Sequence, residues 1–193
     1  MPKLKRQYYM EEDVVWVAKD LLGKVLYTNI NGCVTAGIIT ETEAYAGIYD
    51  KASHAFGGKR TNRNEVMYAR AGTAYIYLCY GIHHLFNVVT NQKDVPHAVL
   101  IRAIKPVVGI ETILNRRKQK ALAKNTSSGP GTISQALGIT TELNGVDLTK
   151  NIIWIQDEGI KVHPKNIIKG PRIGVDYAGE DAKLPYRFIL KEF

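Results

Sequence analysis

Three short stretches carry side chains whose chemistry exceeds what a core or a solvated surface needs. The first is Thr40-Glu41-Thr42-Glu43-Ala44-Tyr45. Side chains alternate along a strand, so Glu41, Glu43 and Tyr45 share one face and Ala36, Ile38, Thr40 and Ala44 the other. Ile38-Ile39 run the strand inward, and a carboxylate there must be solvated, paired or used. Two solvated glutamates on a half-exposed strand are the plain reading. A catalytic carboxylate, or two of them roughly 6.5–7 Å apart as in inverting glycosidases, is the chemical one. The second stretch is Thr73-Ala74-Tyr75-Ile76-Tyr77-Leu78-Cys79-Tyr80-Gly81. Tyr75 and Tyr77 face one way, and Tyr80 the other, near a turn. Such an arrangement serves a core strand with bonded hydroxyls, or a wall and wedge for nucleic-acid bases. Asn87 follows inside apolar Leu85-Phe86-Asn87-Val88-Val89. A buried amide costs free energy until paired, so it can select among ligands. The third stretch is Ala98-Val99-Leu100-Ile101-Arg102-Ala103-Ile104, where Arg102 needs a partner, with Glu43 and Glu41 as candidates.

Other chemistries find less support. The five histidines, His54, His83, His84, His97 and His163, show no pair one helical turn apart and no accompanying carboxylate triad, so no metal site is expected. Neither a GxGxxG nor a GxxxxGK[ST] motif is present. Arg116, Arg117, Lys118, Lys120 and Lys124 make a basic face that is either solvated or turned to phosphates. Ser127-Ser128-Gly129-Pro130-Gly131 opens a helix whose N-terminus suits an anion only weakly as a signal.

The elements that must position these residues read as α+β with mainly antiparallel strands. A first helix is expected over 11–22, with acidic residues at its start, Val14, Val17, Ala18, Leu21 and Leu22 as its apolar face, and Gly23 as its stop. Strands at about 24–30 and 33–45 flank Asn31-Gly32, a strong hairpin signal. Residues 46–72 form a long polar loop, 73–90 a second, protruding hairpin with Gly81 at its turn, and 97–104 a buried strand. A basic helix over 107–124, with Ile110, Ile113 and Leu114 inward, and a short helix over 132–138 follow. Residues 150–190 form further strands joined by loops.

The whole chain fits these elements. Its 193 residues, 45% hydrophobic and 23% charged, suffice for one domain spanning 1–193 with its own core. Two cysteines, Cys33 and Cys79, exclude a disulfide framework and are expected as reduced core thiols, which suits a cytosolic protein. The basic start Met1-Pro2-Lys3-Leu4-Lys5-Arg6 leads into no apolar h-region, and no apolar run reaches membrane-spanning length. Lys and Arg exceed Asp and Glu by 26 to 18, a net charge of +8 that favours a polyanionic partner.

Taken together, Glu41-Thr42-Glu43-Ala44-Tyr45-x-Gly47, Ser53-His54-x-x-Gly57-Gly58, Asn62-Arg63-Asn64 and Gly72-Thr73-x-Tyr75-x-Tyr77-x-x-Tyr80-Gly81 resemble the alkyladenine (3-methyladenine) DNA glycosylase family. Leu100-Ile101-Arg102-Ala103, Ser128-Gly129-Pro130-Gly131, Arg172-Ile173-Gly174-Val175 and Pro185-Tyr186-Arg187-Phe188 fit the same pattern in order, so the resemblance runs from about residue 10 to 190. It implies a single mixed domain with a curved antiparallel sheet and flanking helices. The activity implied is monofunctional hydrolysis of the N-glycosidic bond of a damaged purine flipped out of duplex DNA, with no cofactor, no lyase step and no membrane. The damaged purines in question are 3-methyladenine, 7-methylguanine, hypoxanthine and ethenoadenine. By the same resemblance Glu43 activates water, and Arg102 and the Ile173 carbonyl hold it. Tyr45 stacks on one face of the base and His54 and Tyr77 on the other, Asn87 excludes a guanine 2-amino group, and Tyr80 fills the vacated stack. A monomeric, cytoplasmic, bacterial enzyme is expected. Lys59 and the tip residues Ile82, His83 and His84 depart from the family pattern. A non-catalytic nucleic-acid-binding module is the competing reading.

Overall fold

In the computed structural model, which describes residues 2–191, the 14-residue strand β2 (Cys33–Ala46) is the element on which the others are laid. Asn31 and Gly32 turn the chain into it at φ of 53° and 78°, a conformation these residue types tolerate. Strand β1 (Val25–Ile30) therefore pairs antiparallel with the first part of β2. Strand β5 (His97–Val108) pairs along the opposite edge from Ala36 to Ala46. Beyond Ile38, β8 (Arg187–Leu190) takes over from β1 and pairs with Glu41, Thr42 and Glu43. That triplet thus has strands on both sides, which fixes its backbone.

The full antiparallel order is β3-β4-β5-β2-β1-β6, where β3 is Ala74–Cys79, β4 His83–Thr90 and β6 Ile153–Gln156. Strand β7 (Ile167–Gly170) joins through β8. This is the α+β class expected from the sequence. Helix α1 (Arg6–Tyr9) precedes α2 (Val14–Asp20), whose Val14, Val17 and Ala18, with Leu21 and Leu22 beyond, enter the main core beside Leu26, Ile39, Val99, Ile101 and Phe188. Helix α2 starts three residues later than expected. The Asp13 carboxylate accepts from the N–H groups of Val15 (2.9 Å) and Trp16 (3.0 Å), so it caps the helix from outside.

The strand of 97–104 extends to Val108, and the expected helix of 107–124 shrinks to α3 (Ile110–Arg117). Pro106 and Val108 pair with Gly37 and Ala36, and Gly109 makes the corner at φ 68°. Any Cβ on Gly109 would collide with the Val34 carbonyl oxygen, so only glycine fits. Arg116 and Arg117 bond to groups of β2, α4 (Pro130–Leu137) and the preceding loop, which ties two of the five basic residues to the fold.

Strict alternation along β2 also fails. Thr40 is an extra residue between the pairs Ile39–Ile104 and Glu41–Ala103, and Arg102 is an extra residue on β5 between Ala103 and Ile101. The two bulges compensate in register and switch the parity of β2. Ala36 and Ile38 accordingly pack with Val25, whereas Ala44 joins Ile39 in the main core. The thiols differ from expectation too: Cys33 is exposed beside the hairpin turn and Cys79 is half-buried near the β3–β4 tip. Both stand at strand ends, where outward positions leave the sheet's cover.

Candidate active site

A cavity of about 700 Å³ opens where β2, β3, β4 and β5 meet the start of α4 and the loop at Ile173–Val175. Tyr45, His54, Tyr77, Asn87, Arg102 and Ile173 line it, and Tyr80 stands at its edge. Glu43 lies immediately behind this lining, its side chain 0% exposed. All eight residues singled out in the sequence are therefore gathered in one place.

Each oxygen of Glu43 is engaged. Oε1 accepts the backbone N–H of Ile173 at 2.8 Å. Oε2 accepts the Tyr45 hydroxyl at 2.9 Å and Arg102 Nη1 at 3.4 Å. Burial pushes the Glu43 carboxyl above the ordinary carboxylate range, against the lowering influence of Arg102, the Ile173 N–H and the Tyr45 hydroxyl. Desolvation outweighs these partners because Ile173, Tyr45 and Arg102 close over the carboxylate at the back of the cavity. A carboxylate with a raised pKa is a stronger base once ionised.

Arg102 reaches Glu43 because it is the bulged residue of β5, a position from which a strand can re-aim a side chain. Its Nε bonds Glu41 Oε1 at 2.9 Å, and Arg187 Nε bonds the same oxygen at 2.6 Å. Glu41 is thus held by two guanidinium groups, one of which separates it from Glu43.

Three aromatic side chains, His54, Tyr75 and Tyr77, pack together in the cavity lining. His54 and Tyr77 meet edge to face at 4.6 Å between ring centres, and Tyr75 lies 5.4 Å from Tyr77. His54 Nδ1 and the Tyr75 hydroxyl are hydrogen-bonded at 2.8 Å. Burial, with help from Arg63 and Lys59, holds the His54 pKa below its ordinary value, so the imidazole is neutral at pH 7. Asn87 is buried, and its Nδ2 donates to the carbonyls of Tyr75 (3.1 Å) and Leu85 (3.3 Å). Those two bonds fix the amide in the cavity wall. At the tip of the β3–β4 hairpin Tyr80 is 89% exposed at φ 52°. Of the two tip histidines, His84 accepts the Thr141 N–H and so ties the hairpin to the body, whereas His83 lies against Gly131 at the cavity wall.

Two residues at the site were not singled out as functional by sequence reasoning. Arg172 stands with its guanidinium carbon 4.9 Å from the Tyr45 ring centre, paired with Asp50. Arg172 sits in a Gly- and Pro-bearing stretch and Asp50 in the long polar loop. Neither context signals burial, and only a pairing of the two across 122 residues would have done so. Among the described residues no three His, Cys, Asp or Glu side chains gather as a metal site would require.

Residues 8–193 match the family model for methylpurine-DNA glycosylase. A protein of Chlamydia felis is 48% identical over 188 residues, covering 97% of this chain and 95% of the relative. One from Clostridium perfringens is 44% identical over 198 aligned residues, covering 98% and 96%. One from Bacillus cereus is 47% identical over 192, covering 95% and 93%. All three bear the name "Putative 3-methyladenine DNA glycosylase".

Proposed function

Since the chain belongs to the methylpurine-DNA glycosylase family, and is by that membership a hydrolase of N-glycosidic bonds in DNA, we propose that it flips single damaged purines out of duplex DNA into the aromatic cavity and excises them there with Glu43 as general base. The observation that carries this reading is the Glu43 carboxylate, buried directly behind an aromatic cavity and held by Arg102, Tyr45 and a backbone N–H. Water supplies the nucleophile. Its oxygen bonds to C1′ of the sugar, its proton passes to Glu43, and the C1′–N bond breaks with its electron pair leaving on the base. Arg102 and the Ile173 carbonyl hold that water. The ionised carboxylate also faces the positive charge that develops on the sugar.

Selection begins with flipping, which costs a few kcal/mol and least for a damaged or mispaired base. Tyr80, exposed at the hairpin tip, enters the emptied stack as a wedge. Inside, Tyr45 stacks on one face of the base and Tyr77 and His54 on the other. Electron-poor alkylated purines gain about 0.5–2 kcal/mol from electron-rich rings. Asn87, its amide held by two carbonyls, meets a guanine 2-amino group, a contact that disfavours unmodified guanine and that an electron-poor 7-methylguanine must offset by stacking. Alkylated bases such as 3-methyladenine leave as neutral species and need little further help. Hypoxanthine and ethenoadenine, which we include as substrates, need protonation as they leave and so depend more on pH. The enzyme acts as a monomer and has no lyase step.

The test is incubation of the purified protein, with chelator present, with alkylated DNA and with duplexes bearing one hypoxanthine or one ethenoadenine. Alkaline cleavage at the abasic site reports base loss. Release by the wild type and its disappearance in Glu43→Gln is the expected result. Duplex binding without release of any lesion would overturn the reading in favour of a non-catalytic binding module.

A further inference from the structure

Behind the cavity lies a second buried charge pair. The Arg172 and Asp50 side chains are 0% and 1% exposed. Arg172 Nη1 and Nη2 each bond one Asp50 oxygen, Nη2 to Oδ1 at 2.8 Å. The same nitrogens reach the carbonyls of Ala44 (2.9 Å) and Asp181 (3.1 Å). Asp50 in turn accepts the N–H groups of Ala46 and Ala52, both at 3.0 Å. The guanidinium also lies between two rings, 4.9 Å from the centre of Tyr45 and 5.3 Å from that of Tyr186. These contacts gather the end of β2, the turn after it, the loop 172–175 and the turn 176–183. Well-packed apolar side chains usually stabilise a fold as well as such a buried pair does, so its presence asks for a reason other than stability.

Two parts of the site hang from it. One is the Tyr45 ring. The other is the next peptide, whose N–H stands 2.8 Å from Glu43 Oε1. Pro171, Ile173 and Gly174 are exposed, so Arg172 and Val175 are the buried residues that hold this loop down. We propose that the Arg172–Asp50 pair is a positioning unit for the reaction, setting the Tyr45 ring as a wall of the cavity and holding the Ile173 N–H on the Glu43 carboxylate. It rests on the reading of Glu43 as the base. The other groups facing Glu43 are Arg102 and Glu41, with Arg187 behind Glu41. None of these is bonded to Arg172 or Asp50, so disturbing the pair reaches Glu43 by contact through Ile173 and Tyr45, and through space by the Arg172 charge, which Arg172→Lys keeps and Asp50→Asn leaves unneutralised. Losing the Ile173 donor removes a bond that favours the ionised carboxylate, and Glu43 then keeps its proton to higher pH.

The experiment follows the Glu43 carboxyl directly by ¹³C NMR across pH, its signal assigned by its loss in Glu43→Gln. Wild type, Arg172→Lys, Asp50→Asn and Tyr186→Leu are compared, and single-turnover excision is measured against pH on the same proteins. Arg172→Lys, which keeps the charge, should move the titration midpoint and the acid limb of the rate upward together, by about one pH unit, and Asp50→Asn, which also frees the Arg172 charge to favour the ionised carboxylate, should move them less. Tyr186→Leu, which leaves the pair intact, should move them less in the same direction. A purely structural role would lower Tm and leave both midpoints in place. Folded Arg172→Lys with the wild-type midpoint overturns the proposal; if it does not fold, a wild-type midpoint in Tyr186→Leu overturns it. A midpoint that shifts while the rate profile does not would support the positioning unit and sink the assignment of Glu43 as base.

Discussion

Glu43 is placed where an ionised carboxylate is costly, and two consequences can be separated by their sign. Burial raises its pKa in the folded protein. The stability linked to its proton is therefore full below the unfolded carboxyl pKa and lost as pH rises through the folded value. At neutral pH the wild type carries that cost, and Glu43→Gln removes it, while Arg102 keeps its bond to Glu41. The variant should lose about 10²- to 10⁴-fold in single-turnover rate yet melt at or above the wild-type Tm at pH 7. The Tm difference should narrow as pH falls through the raised pKa. A variant melting several degrees lower at pH 7 would contradict the balance of burial over pairing. In the wild type the rate should fall about tenfold per pH unit below that pKa, because the base must be ionised. Glu41 bears the opposite expectation. Held by Arg102 and Arg187, it serves as a counterion, so Glu41→Gln should retain turnover within about tenfold, whereas a paired-carboxylate mechanism would require its near-complete loss. Residue types alone marked Glu43, Arg102 and Asn87 as polar groups in apolar strands. They did not show that burial governs Glu43, because the cover over its carboxylate comes in part from Ile173, 130 positions away.

At the level of elements, the hairpin tip shows a local conflict that the proposed wedge would explain. Tyr80 holds φ 52°, a left-handed conformation that costs a residue with a side chain on the order of 1 kcal/mol, and its ring is 89% exposed. Neither its backbone nor its packing favours tyrosine there. Tyr80→Gly should fold with a stability within about 1 kcal/mol of wild type, since relief of strain offsets the freedom gained by the unfolded chain. Excision from a fully paired duplex should drop about 10- to 100-fold, and less when the lesion is mispaired and flipping is cheaper. Equal losses on paired and mispaired lesions, measured by single turnover, would contradict a wedge. The hairpins were legible because Asn31-Gly32 and Tyr80-Gly81 announce their turns locally. The paired bulges at Thr40 and Arg102 were not, since a bulge exists only relative to the strand opposite. The same holds for Gly109, which reads as part of a helix until its contact with the Val34 carbonyl is seen.

Over the whole molecule, the charges divide by depth. Inside, carboxylates and guanidiniums neutralise one another: Glu41 with Arg102 and Arg187, Asp50 with Arg172, and Asp147 with Arg6 and Arg70 nearer the surface. The net charge of +8 therefore resides largely in exposed cations, among them Lys59 and Arg63 beside the cavity and Lys118 and Lys120 after α3. This division predicts that salt acts on binding and spares chemistry. Each DNA phosphate neutralised by a surface cation releases condensed counterions, so log K should fall with log[salt] at a slope of about −0.9 per contact, and five contacts would give roughly −4.5. The Glu43–Arg102 geometry lies within the protein, where mobile ions screen little. With enzyme in saturating excess over a lesion duplex, the single-turnover rate constant should therefore stay within about twofold between 50 and 200 mM salt while the dissociation constant rises by orders of magnitude. A flat binding response would remove the electrostatic basis for DNA as the partner. A rate constant that falls in parallel with affinity would mean that the charges governing the reaction are the exposed ones, and that the buried cluster around Glu43 is not where excision is decided.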